Sequence, residues 1–79
     1  MTHSVVLVGK PGCHLCDDAR DVVARVCDEL GVPWSSASSL DDPVLADRYW
    51  DQIPVVLVDG DVHDFFRVDA DRLRRALSA

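Results

Sequence analysis

The sequence predicts an α/β fold, a four-stranded mixed sheet with helices on both faces, in the order β-α-β-α-β-β-α. Three observations predict it. Val5-Val6-Leu7-Val8 and Ile53-Pro54-Val55-Val56-Leu57-Val58 are continuously apolar, as strands covered on both sides must be. Between them, the apolar residues Leu15, Ala19, Val22, Val23, Val26, Cys27 and Leu30 repeat at helical spacing and form one stripe. Asp59-Gly60 directly after the second apolar run matches a two-residue type I′ hairpin turn.

Each element follows from local chemistry. The first strand is Val5 to Val8, and Pro11 and Gly12 end it. The first helix begins at Cys13 or just after it. Asp17, Asp18 and Asp21 suit its positive end, and Gly31 and Pro33 stop it. A second strand is expected over Val32 to Ser38, although its serines are poor sheet formers. Asp42 before Pro43 reads as an N-cap followed by proline at the first helical position, opening a helix of about two turns with Val44, Leu45 and Tyr49 inward. Pro54 opens the third strand, where a missing N–H is tolerable. Asp61 to Phe66 form the hairpin partner, and Asp69 caps a last helix with Ala70, Leu73, Ala76 and Leu77 inward. The first two strands flank a helix and are therefore expected to run parallel.

The chain has 79 residues and reads as a single domain over 1–79, with no linker, repeat or low-complexity tract. Net charge is −6, from 14 acidic and 8 basic residues, which argues against nucleic acid and anionic membranes as partners. No apolar run approaches the roughly 18 residues of a membrane span. The polar start Met1-Thr2-His3-Ser4 carries no export signal, so the expected compartment is the cytoplasm. A monomer is expected. The three cysteines are too few and odd in number for a disulfide scaffold.

Cys13 and Cys16 carry the chemistry. A sulfur at a helix N-terminus faces unpaired N–H groups and the positive end of the dipole, which favours its thiolate. Cys16, one turn on, is expected deeper and less exposed. With two residues between them the pair can close to a disulfide: one sulfur attacks an external disulfide and the other resolves the mixed disulfide. Lys10 supports a thiolate on Cys13, whereas Asp17, four residues on and on the same helical face, opposes it. His14 could tune the pair or meet an anionic substrate, or could be an exposed polar residue only. Cys27 lies on the apolar stripe and reads as a small buried hydrophobe.

Rival readings use the same cysteines. Structural zinc requires four ligands, and Cys27, His3, His14 and His63 stand at no familiar zinc spacing. Small metal carriers with this motif end in a strand, whereas this chain ends in a helix. The alternative function is therefore a metal or iron–sulfur binding or carrier module, and a third is an interaction domain with an idle pair. No metal ligands beyond the cysteines are assigned.

The stretch Lys10-Pro11-Gly12-Cys13-His14-Leu15-Cys16-Asp17, with Ile53-Pro54-Val55-Val56 and Asp59-Gly60 downstream, resembles the glutaredoxin-like family of the thioredoxin superfamily. The resemblance implies a thioredoxin/glutaredoxin-like fold and thiol–disulfide oxidoreductase activity. Cys13 would be the nucleophile and Cys16 the resolving cysteine. It implies a cis Ile53–Pro54 bond beside the pair, leaving the backbone of Ile53 open to an extended substrate. Lys10, Gln52, Ile53 and Pro54 are the substrate-binding residues it suggests, and His14 joins them from its place between the cysteines. Two departures stand out: Phe65-Phe66-Arg67-Val68-Asp69 replaces the usual glycine pair, and His14-Leu15 replaces Pro-Tyr. The expected partner is a disulfide-containing protein or a low-molecular-weight thiol. No cofactor is expected to be tightly bound, and glutathione is a candidate reductant beside another small thiol or a thioredoxin reductase.

Overall fold

The structure is a computed structural model that describes residues 3–78; residues 1, 2 and 79 of the expected domain lie outside the described residues. The elements are β1 (Val5–Gly9), α1 (His14–Leu30), β2 (Trp34–Ser38), α2 (Pro43–Tyr49), β3 (Val55–Val58), β4 (Asp61–Phe65) and α3 (Ala70–Ser78). The sheet order is β2-β1-β3-β4, with β1 and β2 parallel and both other pairs antiparallel.

Because β1 and β3 are central, both of their faces are buried, which is why their sequences are unbroken apolar runs. One face carries Val5, Leu7 and Val56 against Ala19, Val23 and Val26 of α1 and Leu73 and Leu77 of α3. The other carries Val8, Val55 and Leu57 beneath Tyr49, with Leu45 and Ile53 packed alongside. The serine-rich β2 is an edge strand, where polar side chains reach solvent without cost to the core.

The ends of the elements differ from expectation by a residue or two, for local reasons. β2 begins at Trp34 and not at Val32, because Val32 completes the end of α1. Gly31 takes a left-handed backbone (φ 68°) and donates to the Asp28 carbonyl, and the Val32 N–H reaches the Cys27 carbonyl at 2.9 Å. β3 begins after Pro54, which has no N–H to give the ladder. Asp59 and Gly60 both have positive φ, 53° and 89°, as the expected I′ turn requires. Asp42 caps α2 through Oδ1, accepting from Val44 and Leu45 N–H. Val44 itself was expected inward and is 68% exposed. Leu45 and Tyr49, four apart, define the buried stripe of this short helix, and Val44 falls outside it.

Candidate functional site at the tip of helix α1

The site is built at one end of the sheet. β1 runs toward it and delivers the loop Lys10–Cys13. β3 runs away from it, and the register Val8↔Val55 sets Pro54 beside the place where β1 ends. The parallel β2 also ends there, with Ser38 opposite Gly9. Cys13 and Pro54 thus leave neighbouring strand ends, and the Ile53–Pro54 peptide is cis, as the family resemblance implied.

Cys13 is the N-cap of α1. Its backbone is extended (φ −107°, ψ 113°), its carbonyl accepts from Asp17 N–H at 3.2 Å, and its Sγ accepts from Cys16 N–H at 3.2 Å. A sulfur therefore occupies the place that a serine or aspartate oxygen fills in an ordinary cap. Cys13 is half-buried and Cys16 is buried at 8% exposure. Burial pushes the Cys16 thiol up to about 11, and a hydrogen bond with the Cys13 sulfur adds to the rise; a main-chain contact from Lys10 opposes it. The two sulfurs are free thiols. The site thus holds one accessible sulfur fixed by a helix N–H and, against it, a buried partner that keeps its proton.

Gly9 makes room for that partner. A Cβ on Gly9 would lie 3.3 Å from Cys16 Sγ and 3.5 Å from its Cβ, tighter than ordinary packing allows for the sulfur. Sequence reasoning missed this residue; a glycine at the end of an otherwise branched strand was the available signal.

The other expected residues divide between two flanks. Lys10 is exposed and lines a groove of about 350 Å³ on the β2 side of the pair, together with Cys16, Asp17, Arg20, Ser36 and Asp41. Gln52, Ile53 and Pro54 lie on the β3 side and do not line that groove. Gln52 N–H is tied to the Tyr49 carbonyl at 2.9 Å. Ile53 is half-buried against the α2 cluster and has no main-chain hydrogen-bond partner among the described residues. His14 is the first residue of α1 and is exposed. Arg20, Ser36 and Asp41 come from three separate elements, so no local pattern could have joined them.

Phe66 is a second feature of the β3 flank. Its N–H donates to the Pro54 carbonyl at 2.8 Å, and its φ is +63°, a backbone that costs an L-residue roughly 1–2 kcal/mol. Its ring meets Phe65 edge to face at 5.0 Å, and the two residues are 45% and 41% exposed. Arg67, beside them, is exposed and has no ion-pair partner among the described residues. Asp69 caps α3, its Oδ1 accepting from Asp71 and Arg72 N–H at 2.9 and 3.1 Å. Those bonds, that to Arg72 first, hold its carboxyl below the usual range. Cys27 is fully buried in the core, where desolvation raises its thiol. Among the described residues, no three His, Cys, Asp or Glu side chains gather where a metal ion could be held, and no helix is long and apolar enough to cross a membrane.

Comparison with known proteins agrees with this geometry. A family model described as Glutaredoxin-like domain (DUF836) matches residues 4–78. The uncharacterized protein Rv0508 of Mycobacterium tuberculosis is 35% identical over 75 residues, covering 89% of this chain and 77% of that protein. Among solved structures, the X-ray structure of the structural-genomics target XcR50 from X. campestris superposes with a TM-score of 0.76 at 31% identity, over 94% of this chain and 95% of that one. Protein Ne2328 from Nitrosomonas europaea gives 0.81 at 19% identity over 98% and 93%. Thioredoxin 1 from Thermosipho africanus gives 0.66 at 12% identity over 95% and 94%, and at that identity shows the shared fold alone.

Proposed function

The chain belongs to the glutaredoxin-like family (DUF836) of the thioredoxin superfamily, and we propose that it is a cytoplasmic thiol–disulfide oxidoreductase that reduces disulfides through Cys13. The observation that carries this reading is the pairing of Cys13 Sγ, held by the Cys16 N–H at 3.2 Å, with a buried Cys16 thiol against it.

The Cys13 thiolate attacks one sulfur of the substrate disulfide. A new S–S bond forms to Cys13, the substrate S–S bond breaks, and the first substrate thiol leaves. Cys16 then loses its proton and attacks Cys13 Sγ, which releases the second thiol and leaves a Cys13–Cys16 disulfide. The substrate gains two electrons and the pair loses two. A low-molecular-weight thiol such as glutathione, or a reductase, returns them. The Cys16 N–H that holds Cys13 Sγ at 3.2 Å fixes the attacking sulfur at the helix tip.

Lys10 and His14 are the residues proposed to meet the substrate on the pair's own loop and helix. On the other flank, Gln52, Ile53 and Pro54 are proposed to align an extended substrate chain. The unpaired main chain of Ile53 supports an added-strand contact there.

The test is turnover of hydroxyethyl disulfide with glutathione plus glutathione reductase, set beside thioredoxin reductase. Cys13→Ser abolishes turnover. Cys16→Ser accumulates a mixed disulfide on Cys13 that mass spectrometry detects. Equal turnover by wild type and Cys13→Ser overturns the reading.

A further inference from the structure

We propose that the outer face of α2, anchored by Trp50, docks the protein whose disulfide the site above reduces, and that this protein presents lysine or arginine around an apolar side chain. The inference rests on the oxidoreductase reading and names the surface chemistry of its protein substrate.

Leu40, Val44 and Trp50 fall within eleven residues and are the most exposed large apolar side chains among the described residues, at 74%, 68% and 74%. The core does not use them, since Leu45 and Tyr49 form the inward stripe of α2. At about 3.6 residues per turn, Asp47 falls opposite that stripe, with Val44 and Trp50 on either side of it. An indole left in water forgoes the burial that makes tryptophan an anchor of protein interfaces.

Charge selects the occupant. Residues 41–51 carry Asp41, Asp42, Asp47 and Asp51 against Arg48 alone, which is three of the chain's six net negative charges. None of these five side chains is in an ion pair among the described residues, and Arg48 lies over the Tyr49 ring at 5.7 Å from its centroid. An apolar face rimmed by uncompensated carboxylates complements a basic surface and repels an acidic one. A second copy is disfavoured for the same reason, because across a two-fold interface the face would meet its own charge.

The chain runs from this face directly into the site. Trp50 is the C-cap of α2, Gln52 N–H bonds to the Tyr49 carbonyl at 2.9 Å, and Ile53 and Pro54 follow. The Cα atoms of Trp50 and Pro54 are at most about 14 Å apart by chain length. A protein seated on Trp50 thus holds its neighbouring segment over Ile53 and Pro54.

The experiment uses the full chain, reduced beforehand and in excess, so that its Cys13–Cys16 dithiol gives up two electrons and the probe disulfide gains them. Two disulfide-linked peptide dimers are identical except that a Lys-Leu-Lys segment several residues from the cysteine is Glu-Leu-Glu in the second. Hydroxyethyl disulfide, too small to span the face, gives the reference rate for each protein. Single turnovers are quenched with acid and followed by mass spectrometry. The lysine probe is reduced about tenfold faster than the glutamate probe at low salt, and the gap closes in about 0.5 M salt. Asp47→Lys combined with Asp51→Lys abolishes the preference. Asp28→Lys combined with Asp61→Lys makes the same charge change in the last turn of α1 and at the far end of β3, and keeps most of it. Trp50→Ser slows the lysine probe about fivefold relative to the reference. Equal rates for the two probes, a preference that both double variants keep or both lose, or an unchanged relative rate in Trp50→Ser refutes the docking face, while reduction of hydroxyethyl disulfide leaves the oxidoreductase reading standing. If wild type reduces none of the three disulfides, that reading falls and takes the docking face with it. A wild-type dimer in sedimentation that Trp50→Ser dissociates puts a second copy on the face and also refutes the proposal.

Discussion

Cys13 Sγ accepts the main-chain N–H of Cys16 at 3.2 Å, while the thiol of Cys16 itself is buried behind it. One residue therefore supplies the donor that holds the outer sulfur and, in the proposed mechanism, the nucleophile that displaces substrate from it. Separation of the two sulfurs by depth gives them separate tasks without any difference in residue type.

That depth sets a pH dependence. The ordinary thiol value is 9.0, and burial raises Cys16 to about 11, so the folded chain keeps a proton there that the unfolded chain gives up. The stabilising effect of the protonated thiol is complete below about pH 9 and is lost as pH rises toward about 11. Cys27 is raised by burial as well and acts in the same direction. Urea-unfolding midpoints are therefore expected to fall between about pH 8 and pH 10.5, and less steeply in Cys16→Ser. Equal slopes in the two proteins contradict this assignment.

Gly9→Ala tests the packing behind Cys16. The new methyl would stand 3.3 Å from the Cys16 sulfur, so that sulfur must give by a few tenths of an ångström. Displacement slows an intramolecular attack far more than it unfolds a protein: about 1 Å of misplacement costs up to roughly 100-fold in rate. The expected outcome is a severalfold slower release of the mixed disulfide, with melting temperature within about 3 °C of wild type. Stopped-flow quench and mass spectrometry measure the lifetime of the Cys13 adduct; an unchanged lifetime refutes the role given to Gly9.

The sequence made the sheet legible because β1 and β3 are central: a strand buried on both faces has no polar alternation, and its apolar run survives as an obvious string. Cys13 at the cap was legible for the same local reason, since a turn, a cysteine and a helical stripe follow one another. The cis Ile53–Pro54 bond was reachable only through resemblance, because both isomers use the same residues. Val44 was misplaced because a two-turn helix offers too few residues to fix its stripe. The left-handed backbone of Phe66 was invisible, because propensity places glycine there and not an aromatic residue. The groove around Arg20, Ser36 and Asp41 was invisible too, because the fold and not the chain brings them together.

His63 on β4 gives an acid-side prediction. Its Nε2 is buried with no hydrogen-bond partner among the described residues. Burial lowers its pKa from the ordinary 6.5, and the Arg72 charge adds to the drop while Asp64 opposes it. The unfolded chain therefore takes up this proton at a higher pH than the folded chain does. Stability falls as pH drops below about 7 and continues to fall until the folded imidazole is itself protonated. His63→Leu removes both the titration and the unpartnered nitrogen, so its urea midpoint is expected to change less between about pH 7.5 and pH 5. Asp59 and Asp69, both lowered from 3.8, exert their effects below that window. A variant whose midpoint falls as steeply as wild type removes His63 from the account.

Asp17 lies four residues beyond Cys13 in the first turn of α1, and its N–H is bonded to the Cys13 carbonyl at 3.2 Å. At a separation of about one helical turn, roughly 6 Å, and an effective dielectric of 40–80, the repulsion between a carboxylate and a thiolate is on the order of 0.7–1.4 kcal/mol. Asp17→Asn removes the charge and keeps the shape. Iodoacetamide alkylation of Cys13 near pH 7 is then expected to quicken by about three- to tenfold at low salt. The gain should shrink in about 1 M salt, where screening already suppresses the repulsion. Alkylation in a Cys16→Ser, Cys27→Ala background isolates the outer sulfur. A rate that Asp17→Asn leaves unchanged at low salt shows that the carboxylate points away from Cys13, and a slower rate shows that it assists the thiolate by another route.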